Sequence, residues 1–278
     1  MSSPEQPSAS AQILQVLLRQ QYRDLARRGA ELPEFADVEF RTYSQNGEDG
    51  ILLYLFSLLG TTNRTVVEIC AGDGYECNAA NLLVNHGWRG LLVDGDAAQV
   101  ASGRQFYATC RNTWIAPPTF VHEWITAENV NGSVARQGFG GSIDLLSLDL
   151  DGNDYWIWKA LDCVIPRVVI IEFNNACGPD RSLTIAYRPD FRLDLSCRPY
   201  RCGASLTALT KLARSKGYRL VGTDSRGVNA LFVRDGLGES VLPERSVADC
   251  YERTEALRAW EPHWLEGLLS GSTAWEAV

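Results

Sequence analysis

The sequence is poor in several residue types that usually mark a site. It has one methionine and three histidines among 278 residues. Its eight cysteines include no Cys-x-x-Cys pair, and none has a histidine or a third cysteine at zinc-ligand spacing. We therefore expect ordinary thiols rather than zinc or a disulfide, with Cys197 and Cys202 as the closest pair. No signal peptide is recognised ahead of them, so a reducing cytoplasm is the predicted location.

Basic residues are also scarce. Lys and Arg number 26 against 34 Asp and Glu, which gives a formal net charge of −8. A nucleic-acid binder needs a dense basic surface to neutralise phosphates, so no nucleic-acid partner is expected. The apolar segment 11–28 is too short and too charged to cross a membrane, and no membrane span is predicted.

We predict three parts in the chain, of which the middle one is a single large domain. The first part, 1–42, comprises a Ser- and Pro-rich start that we expect to be disordered and an accessory helix over 11–28. The second, 43–234, is the main domain, and the third, 235–278, is a helical extension. The terminal helices would pack on the domain or form a homodimer, and the first could instead cover an active site.

The main domain is organised around a strand, a glycine turn and a helix. Val66 to Ile69 is predicted to be a buried parallel strand, and a helix is predicted over 76–86. Between them, Gly72 and Gly74 allow the backbone to turn sharply beneath a ligand. A ligand-free strand, turn and helix is the alternative, because short glycine motifs have false positives.

The ligand is predicted to carry an adenosyl group and a cation. The next strand, 91–93, ends on Asp94, which is well placed to accept hydrogen bonds from ribose hydroxyls. A diphosphate-binding turn requires a third glycine, which is missing here. Carboxylates flank the turn instead, and they suit the sulfonium and ammonium of S-adenosylmethionine better than a diphosphate. These acidic residues are Glu68, Asp73 and Glu76.

Two further stretches are predicted to contact this cofactor. The polar segment 43–50 either caps the following helix or places Asn46 over the methionine end of the cofactor. A third strand is predicted over 119–125. Trp124 and Ile125 at its end would lie beside the adenine.

A second acidic group follows the predicted strand 143–148. Asp149 and Asp151 are two residues apart, so they point to the same side if the extended conformation continues. Two such carboxylates repel one another unless a proton or a cation lies between them, and the simplest prediction is a bound Mg²⁺ ion. The alternative is that Asp151 or Asp154 caps the next helix.

A neighbouring strand is predicted over 167–173 and supplies more oxygen ligands. Glu172 and Asn174 would lie at the same sheet edge as the aspartates if the strands are in register. The segment 175–202 that follows is long and contains five arginines, so we predict a substrate loop or lid for an anionic substrate, although solvated arginine is the ordinary explanation. Two strands around the turn 224–227 are expected to close the sheet as an antiparallel hairpin.

The order of elements resembles the class I S-adenosylmethionine-dependent methyltransferases, particularly the FkbM-type family. Glu68 to Gly74 resembles the cofactor loop of that family, and Asp94 resembles its ribose acid. Ser147-Leu148-Asp149-Leu150-Asp151-Gly152 is similar to its Lys-Ile-Asp-Val-Glu-Gly segment. The Ser-Gln-Asn-Gly-Glu-Asp-Gly run at 44–50 and the Asp-Gly-Asn-Asp-Tyr-Trp run at 151–156 suggest a little-characterised branch.

The resemblance implies an α/β, Rossmann-like fold with a mostly parallel seven-stranded sheet. By similarity to metal-dependent O-methyltransferases, Asp149 or Asp151 would hold a metal together with Glu172 and Asn174, so that a substrate hydroxyl attacks the methyl group. His122 is a weaker candidate for the general base. The sequence departs from the family at Cys70, where many relatives have glycine, and at Asp151, which replaces glutamate.

The acceptor stays open, and so do two other classes of function. A sugar hydroxyl, a small-molecule hydroxyl or an amine would fit an acidic crevice. Asp149-Leu150-Asp151-Gly152 also resembles the first motif of haloacid-dehalogenase phosphatases, with Asp149 as nucleophile and Asp151 as acid. A catalytically silent binding protein with the same fold is the third possibility.

Overall fold

The computed structural model describes residues 9–196, 199–271 and 273–278. Its main sheet has seven strands in the order β3-β2-β1-β4-β5-β8-β7, and β6 and β9 form a separate pair. Neighbours among β1 to β5 are parallel, whereas β8 is antiparallel to both β5 and β7. The Rossmann-like sheet with a closing antiparallel hairpin is therefore confirmed. The strands are β1 Thr65–Ile69, β2 Arg89–Asp94, β3 Thr119–His122, β4 Gly141–Leu148, β5 Val164–Glu172, β6 Leu183–Ile185, β7 Tyr218–Thr223, β8 Asn229–Arg234 and β9 Trp275–Ala277.

Helices cover both faces of the main sheet, and all five residues of β1 are buried. One apolar core lies between the sheet and α6, α7 and α8, and the other lies between the sheet and α1 to α5. Burial on both faces explains why the strands are apolar runs rather than alternating patterns. The helices are α1 Ala9–Arg27, α2 Phe35–Val38, α3 Glu48–Leu59, α4 Ala80–His86, α5 Ala97–Thr109, α6 Val130–Arg136, α7 Asp154–Ala160, α8 Leu206–Ser215, α9 Val247–Arg253, α10 Glu255–Arg258 and α11 Pro262–Leu269.

Two predicted boundaries near the cofactor loop were wrong. The first helix after β1 begins at Ala80 rather than at Glu76. Asp73 accepts hydrogen bonds from the backbone N–H groups of Tyr75 and Glu76, which holds a turn where a helix was expected. The third strand ends at His122 instead of continuing to residue 125.

The carboxyl-terminal segment pairs with the predicted substrate loop. β9 is antiparallel to β6, with Ile185 opposite Trp275. Trp275 packs near Ala176, Cys177 and Leu268. This contact was not predicted from the sequence, because pairing between two three-residue strands is not visible in a local pattern.

The terminal predictions are tested only in part. The accessory helix is present as α1, and its side chains Ile13, Leu14 and Leu17 are exposed. A homodimer through the terminal helices stays a prediction. Most of the Ser- and Pro-rich start, together with Cys197 and Arg198, lies outside the described residues. Within the described ranges, no helix combines the length and apolarity needed to cross a membrane.

Candidate active site

The candidate site lies where the carboxyl ends of β1 and β4 are adjacent. The connection after β1 and the connection after β4 run to opposite faces of the sheet. In open α/β sheets, ligands bind at the point where the connections change face, which is called the topological switch point. A cavity of about 60 Å³ opens here. Its lining includes four acidic residues and no basic one. The acidic residues are Glu48, Glu68, Glu76 and Asp149.

The glycine turn below this cavity adopts left-handed backbone angles. Gly72 has φ +56° and Gly74 has φ +67°, as their positions in a sharp turn require. A Cβ at Gly74 would lie 2.9 Å from Cε1 of Phe120, so packing against the core also demands glycine there. Cys70 adopts φ +64° without being glycine, which is a strained conformation beside the cavity.

Asp94 fixes the same turn. Its Oδ2 accepts the backbone N–H of Gly72 at 2.8 Å, and its Oδ1 accepts that of Asp96 at 2.8 Å. Each oxygen keeps capacity for a second hydrogen bond, because a carboxylate accepts about four. Asp94 therefore holds the glycine turn and can still bind a hydroxyl pair.

Glu68 is occupied by the protein itself. Its carboxylate accepts the backbone N–H groups of Asn78 at 3.0 Å and Ala79 at 2.7 Å, and the hydroxyl of Ser147 at 2.9 Å. Burial raises the pKa of Glu68 in spite of these donors. Glu68 thus joins the end of β1 to the start of α4, a positioning role that the cofactor prediction did not foresee.

The two side chains predicted beside the adenine have different surroundings. Ile125 is 6% exposed and its side chain packs in the core, so it offers little surface to a ligand, and its contact with the adenine stays a prediction. Trp124 is 41% exposed, and a Cβ on Gly95 would be 2.7 Å from its ring. The guanidinium of Arg192 stands 4.6 Å from the centre of the Trp124 ring. Trp124 is thus an exposed aromatic side chain over Gly95, the residue that follows Asp94.

His122 is not brought to the acidic residues. It lies opposite Asp94 in the pairing of β2 with β3, and it is exposed, with Nε2 3.2 Å from the carbonyl oxygen of Gly95. β3 and β4 are three strand spacings apart, which is roughly 14 Å. The structure therefore does not bring His122 together with the acidic group, and its role as a general base stays a prediction.

The acidic group itself assembles as predicted, although by a different geometry. Ligand atoms of Asp149, Asp151 and Glu172 all lie within 4.8 Å of one another. β4 and β5 pair with Leu148 opposite Ile171, which places the residues that follow side by side. Asp151 has φ +53°, so the chain turns at this point and the extended conformation does not continue.

Asp154 shapes that turn. Its carboxylate accepts the backbone N–H groups of Leu150 at 2.7 Å and Gly152 at 3.0 Å. Of the two residues considered as helix caps, Asp154 is therefore the one that organises the start of α7, whereas Asp151 is exposed and belongs to the acidic group.

The acidic group binds protons more tightly than ordinary carboxyls. Burial, followed by the charges of Asp154 and Asp151, raises the pKa of Asp149 to about 7. Burial and the charge of Asp149 raise the pKa of Glu172 well above its usual range. Among the described residues, no Lys, Arg or His forms an ion pair with these carboxyls. The group can therefore hold a proton or a cation.

Asn174 does not complete this ligand set. Its Nδ2 donates to the carbonyl oxygens of Tyr200 at 2.8 Å and Cys202 at 2.9 Å, and its Oδ1 accepts the backbone N–H of Ala176 at 3.0 Å. The amide is thus committed to the ends of the substrate loop, and we leave Asn174 out of the proposed ligands.

The predicted substrate loop covers the residues next to the acidic group. Asn153 donates to the carbonyl oxygen of Arg188 at 2.7 Å, and Trp156 donates to that of Ile185 at 2.8 Å. A Cβ on Gly152 would lie 2.4 Å from the ring of Phe191, so glycine is needed for this close packing. The loop therefore lies against the start of α7, beside Asp151.

Two site residues had escaped the sequence analysis as a pair. Asn229, the first residue of β8, donates from Nδ2 to Oε1 of Glu48 at 2.8 Å, across 181 residues of sequence. Both side chains are buried and both line the cavity. Glu48 carried only a helix-start signal, and no local pattern marked Asn229.

The strand order, with a closing antiparallel hairpin, defines a Rossmann-like fold. No family model and no curated protein matches the sequence. Among solved structures, the magnesium protoporphyrin IX methyltransferase from Synechocystis PCC 6803 with bound SAM is 15% identical, with TM-score 0.44, and the match covers 80% of this chain and 97% of that one.

Two other methyltransferase structures are similar to the same extent. A glycopeptide N-methyltransferase is 14% identical with TM-score 0.43, over 72% of this chain and 95% of that one. An O-methyltransferase from Bacillus cereus is 12% identical with TM-score 0.43, over 82% of this chain and 92% of that one. Likenesses this distant assign no activity, so the function has to be argued from the site.

Proposed function

We propose that this chain is an S-adenosylmethionine-dependent methyltransferase, related to the FkbM-type family. The observation that carries the proposal is the acid-lined cavity at the switch point, with Asp94 at the end of the adjoining strand. Carboxylates around such a cavity repel a diphosphate and attract a sulfonium or an ammonium. The same surroundings therefore favour this cofactor over a dinucleotide.

In this proposal, the adenosyl group lies along the rim and the methionine part enters the cavity. Asp94 would accept hydrogen bonds from the ribose, and Trp124 would contact the base. A cavity of about 60 Å³ is far smaller than a site that encloses a whole ligand. An exposed hydrogen bond of 2.7 Å from Gln45 to Glu76 joins the polar segment 43–50 to the residues after the glycine turn. Entry of the cofactor would break this hydrogen bond.

We further propose that the reaction is O-methyl transfer to a small-molecule or sugar hydroxyl. Asp149 lies at the cavity and its pKa is raised to about 7, which suits acceptance of a proton from the acceptor. Asp151 and Glu172 place two further carboxyl groups beside that of Asp149. Loop residues 188–192 would close over the acceptor.

The three carboxyls also fit a divalent cation such as Mg²⁺. Hard cations prefer oxygen ligands. The ligand atoms of the three carboxyls lie within 4.8 Å of one another, and no Lys, Arg or His of the described residues pairs with them, so a small rearrangement would let them share an ion. Asp149, Asp151 and Glu172 would hold the ion in place of a proton, and Asp149 would then be a ligand rather than the base. When bound, the cation would lower the pKa of the acceptor hydroxyl. An amine acceptor would not need it.

Calorimetric titration with S-adenosylmethionine and S-adenosylhomocysteine tests the cofactor assignment. We expect binding by the wild-type protein, a loss of at least tenfold in Asp94→Ala, and a smaller loss in the Asp94→Asn control, which keeps one acceptor oxygen. Absence of binding by the folded wild type would contradict the proposal. Hydrolysis of a phosphate ester by that same protein would instead support the phosphatase alternative.

Methyl transfer is tested separately, with radiolabelled cofactor and panels of hydroxyl and amine acceptors, in Mg²⁺ and in EDTA. Product with hydroxyl acceptors that disappears in EDTA and in Asp149→Asn supports metal-assisted O-methylation. Product with amines in EDTA would contradict the O-methyl assignment while leaving the cofactor proposal intact. Binding without any product would favour a silent binding protein.

A further inference from the structure

We propose that Asn229 and Glu48 form a recognition site for the α-ammonium of the cofactor. This inference rests on the proposed function and assigns two cavity residues that are not members of the acidic group of Asp149, Asp151 and Glu172. It starts from Asn229, which is 3% exposed and lines the cavity. Its Oδ1 is fully buried and has no hydrogen-bond partner among the described residues. A buried acceptor without a donor costs stability, so such an atom points to a ligand.

The orientation of the Asn229 amide follows from its neighbour. Nδ2 donates to Oε1 of Glu48 at 2.8 Å. Turning the amide by half a rotation would place its oxygen against the Glu48 carboxylate, where two acceptors would repel. The backbone is fixed as well, because the N–H of Asn229 donates to Asp224 and the residue pairs with Glu172 in the sheet. The unpaired oxygen is therefore built into the position.

Glu48 adds a negative charge that no cation balances. The side chain is 1% exposed, and its carboxylate accepts only neutral donors. These are the backbone N–H of Asn46 at 2.8 Å, the Asn46 amide at 3.2 Å and the Asn229 amide. No Lys, Arg or His within the described ranges pairs with it. A buried carboxylate beside an unpaired oxygen is a setting for a cationic donor.

The chemistry of the site favours an ammonium over a metal ion. An ammonium presents three donors, and two residues that line the cavity carry acceptors, the unpaired amide oxygen of Asn229 and the carboxylate of Glu48. Glu48 is not part of the metal-type group of Asp149, Asp151 and Glu172. A cavity of about 60 Å³ is large enough for an ammonium head group, whereas the rest of the cofactor would lie outside it.

The test compares three ligands by calorimetry on the full chain. S-adenosylhomocysteine carries the ammonium, its desamino analogue lacks only that group, and 5′-methylthioadenosine lacks the whole amino-acid part. We expect the wild type to prefer S-adenosylhomocysteine over the desamino analogue by roughly tenfold to a hundredfold. Asn229→Leu should lose most of this preference while binding 5′-methylthioadenosine within about twofold of the wild type.

A matched control is Asn175→Leu. Asn175 is another side-chain amide at this sheet edge, which donates to the carbonyl oxygen of Gly227 at 3.0 Å and does not line the cavity. We expect it to keep the preference. Equal binding of the two amino-acid ligands by the wild type, or a preference unchanged in Asn229→Leu, would overturn the inference and leave the cofactor proposal standing.

Two further outcomes separate failure of the inference from failure of the proposed function. If the wild type binds none of the three ligands, the cofactor proposal fails and the inference fails with it. If Asn229→Leu does not fold, Asn229→Ala takes its place, because it removes the amide without adding bulk or charge. A folded Asn229→Ala protein is expected to lose most of the preference for the ammonium, and an unchanged preference there would overturn the inference.

Discussion

Replacing Glu172 by glutamine is expected to stabilise the metal-free protein at pH 8, although the side chain belongs to the candidate active site. Ligand atoms of Glu172, Asp149 and Asp151 lie within 4.8 Å of one another. Two ionised carboxylates at that distance would repel by about 3.5 kcal/mol at an effective dielectric constant near 20. Keeping a proton on the pair at pH 8 instead also costs free energy, because folding raises the pKa of both groups. Glu172 and Asp149 are partly accessible to solvent, which screens the repulsion. We therefore expect the free energy of unfolding to rise by about 1 to 3 kcal/mol.

The size of this gain should depend on pH. Burial, followed by the charges of Asp154 and Asp151, raises the folded-state pKa of Asp149 from 3.8 to about 7. A carboxyl whose pKa is raised on folding contributes stability below its unfolded pKa, and that contribution is lost as the pH rises through the folded value. The wild type should therefore lose stability between about pH 4 and about pH 7. Glu172→Gln should lose less.

Urea denaturation at pH 5 and pH 8 in EDTA measures both effects. The matched control is Glu252→Gln, the same change at an exposed position, for which we expect less than about 0.5 kcal/mol. Added Mg²⁺ should stabilise the wild type at pH 8 and should stabilise Glu172→Gln much less. A variant that is less stable than the wild type at pH 8, or that shows the same pH dependence, would refute the reasoning.

Two predictions concern the scaffold around the site. Cys70→Gly should raise the free energy of unfolding by up to about 1 kcal/mol, because the left-handed conformation at φ +64° costs a non-glycine residue about 1 to 2 kcal/mol. A loss of stability in urea denaturation would contradict this prediction. Asp144→Asn should cost about 3 to 5 kcal/mol, because it leaves the buried Arg167, paired at 3.1 Å, without its counter-charge. Burial alone would raise the pKa of Asp144, but the hydrogen bonds that its carboxylate accepts lower it, so its contribution to stability is lost as the pH falls through the folded value. The cost of Asp144→Asn should therefore shrink in acid, and a cost that does not change with pH would count against this sign.

Local sequence determined the sheet and the acidic group. The apolar runs of β1, β4 and β5 predicted parallel strands because burial on both faces removes any polar alternation. Since the carboxyl ends of parallel strands meet at one edge, residues that follow neighbouring strands come together. Asp149 and Glu172 could be paired on that basis, even though the turn at Asp151 was not foreseen.

Tertiary structure decided what each side chain does at that edge. Glu68 and Asn174 looked like ligands in the sequence, yet backbone groups brought by other elements occupy them. His122 had suitable chemistry, but strand order places it about three strand spacings from β4. A short motif shows which carboxyl and amide side chains are available, but it does not show which hydrogen-bond donors from distant segments occupy them.

The contacts between distant segments were the part that only the folded chain could supply. β6 meets β9 across about ninety residues, and Asn229 meets Glu48 across 181. Neither pairing has a local signal, because each depends on two segments arriving at the same edge by separate paths. The sequence by itself thus determined the strands and the carboxyls that follow them. The packing of the whole chain decided which oxygen atoms are left without a partner, and those atoms define the binding site that we propose.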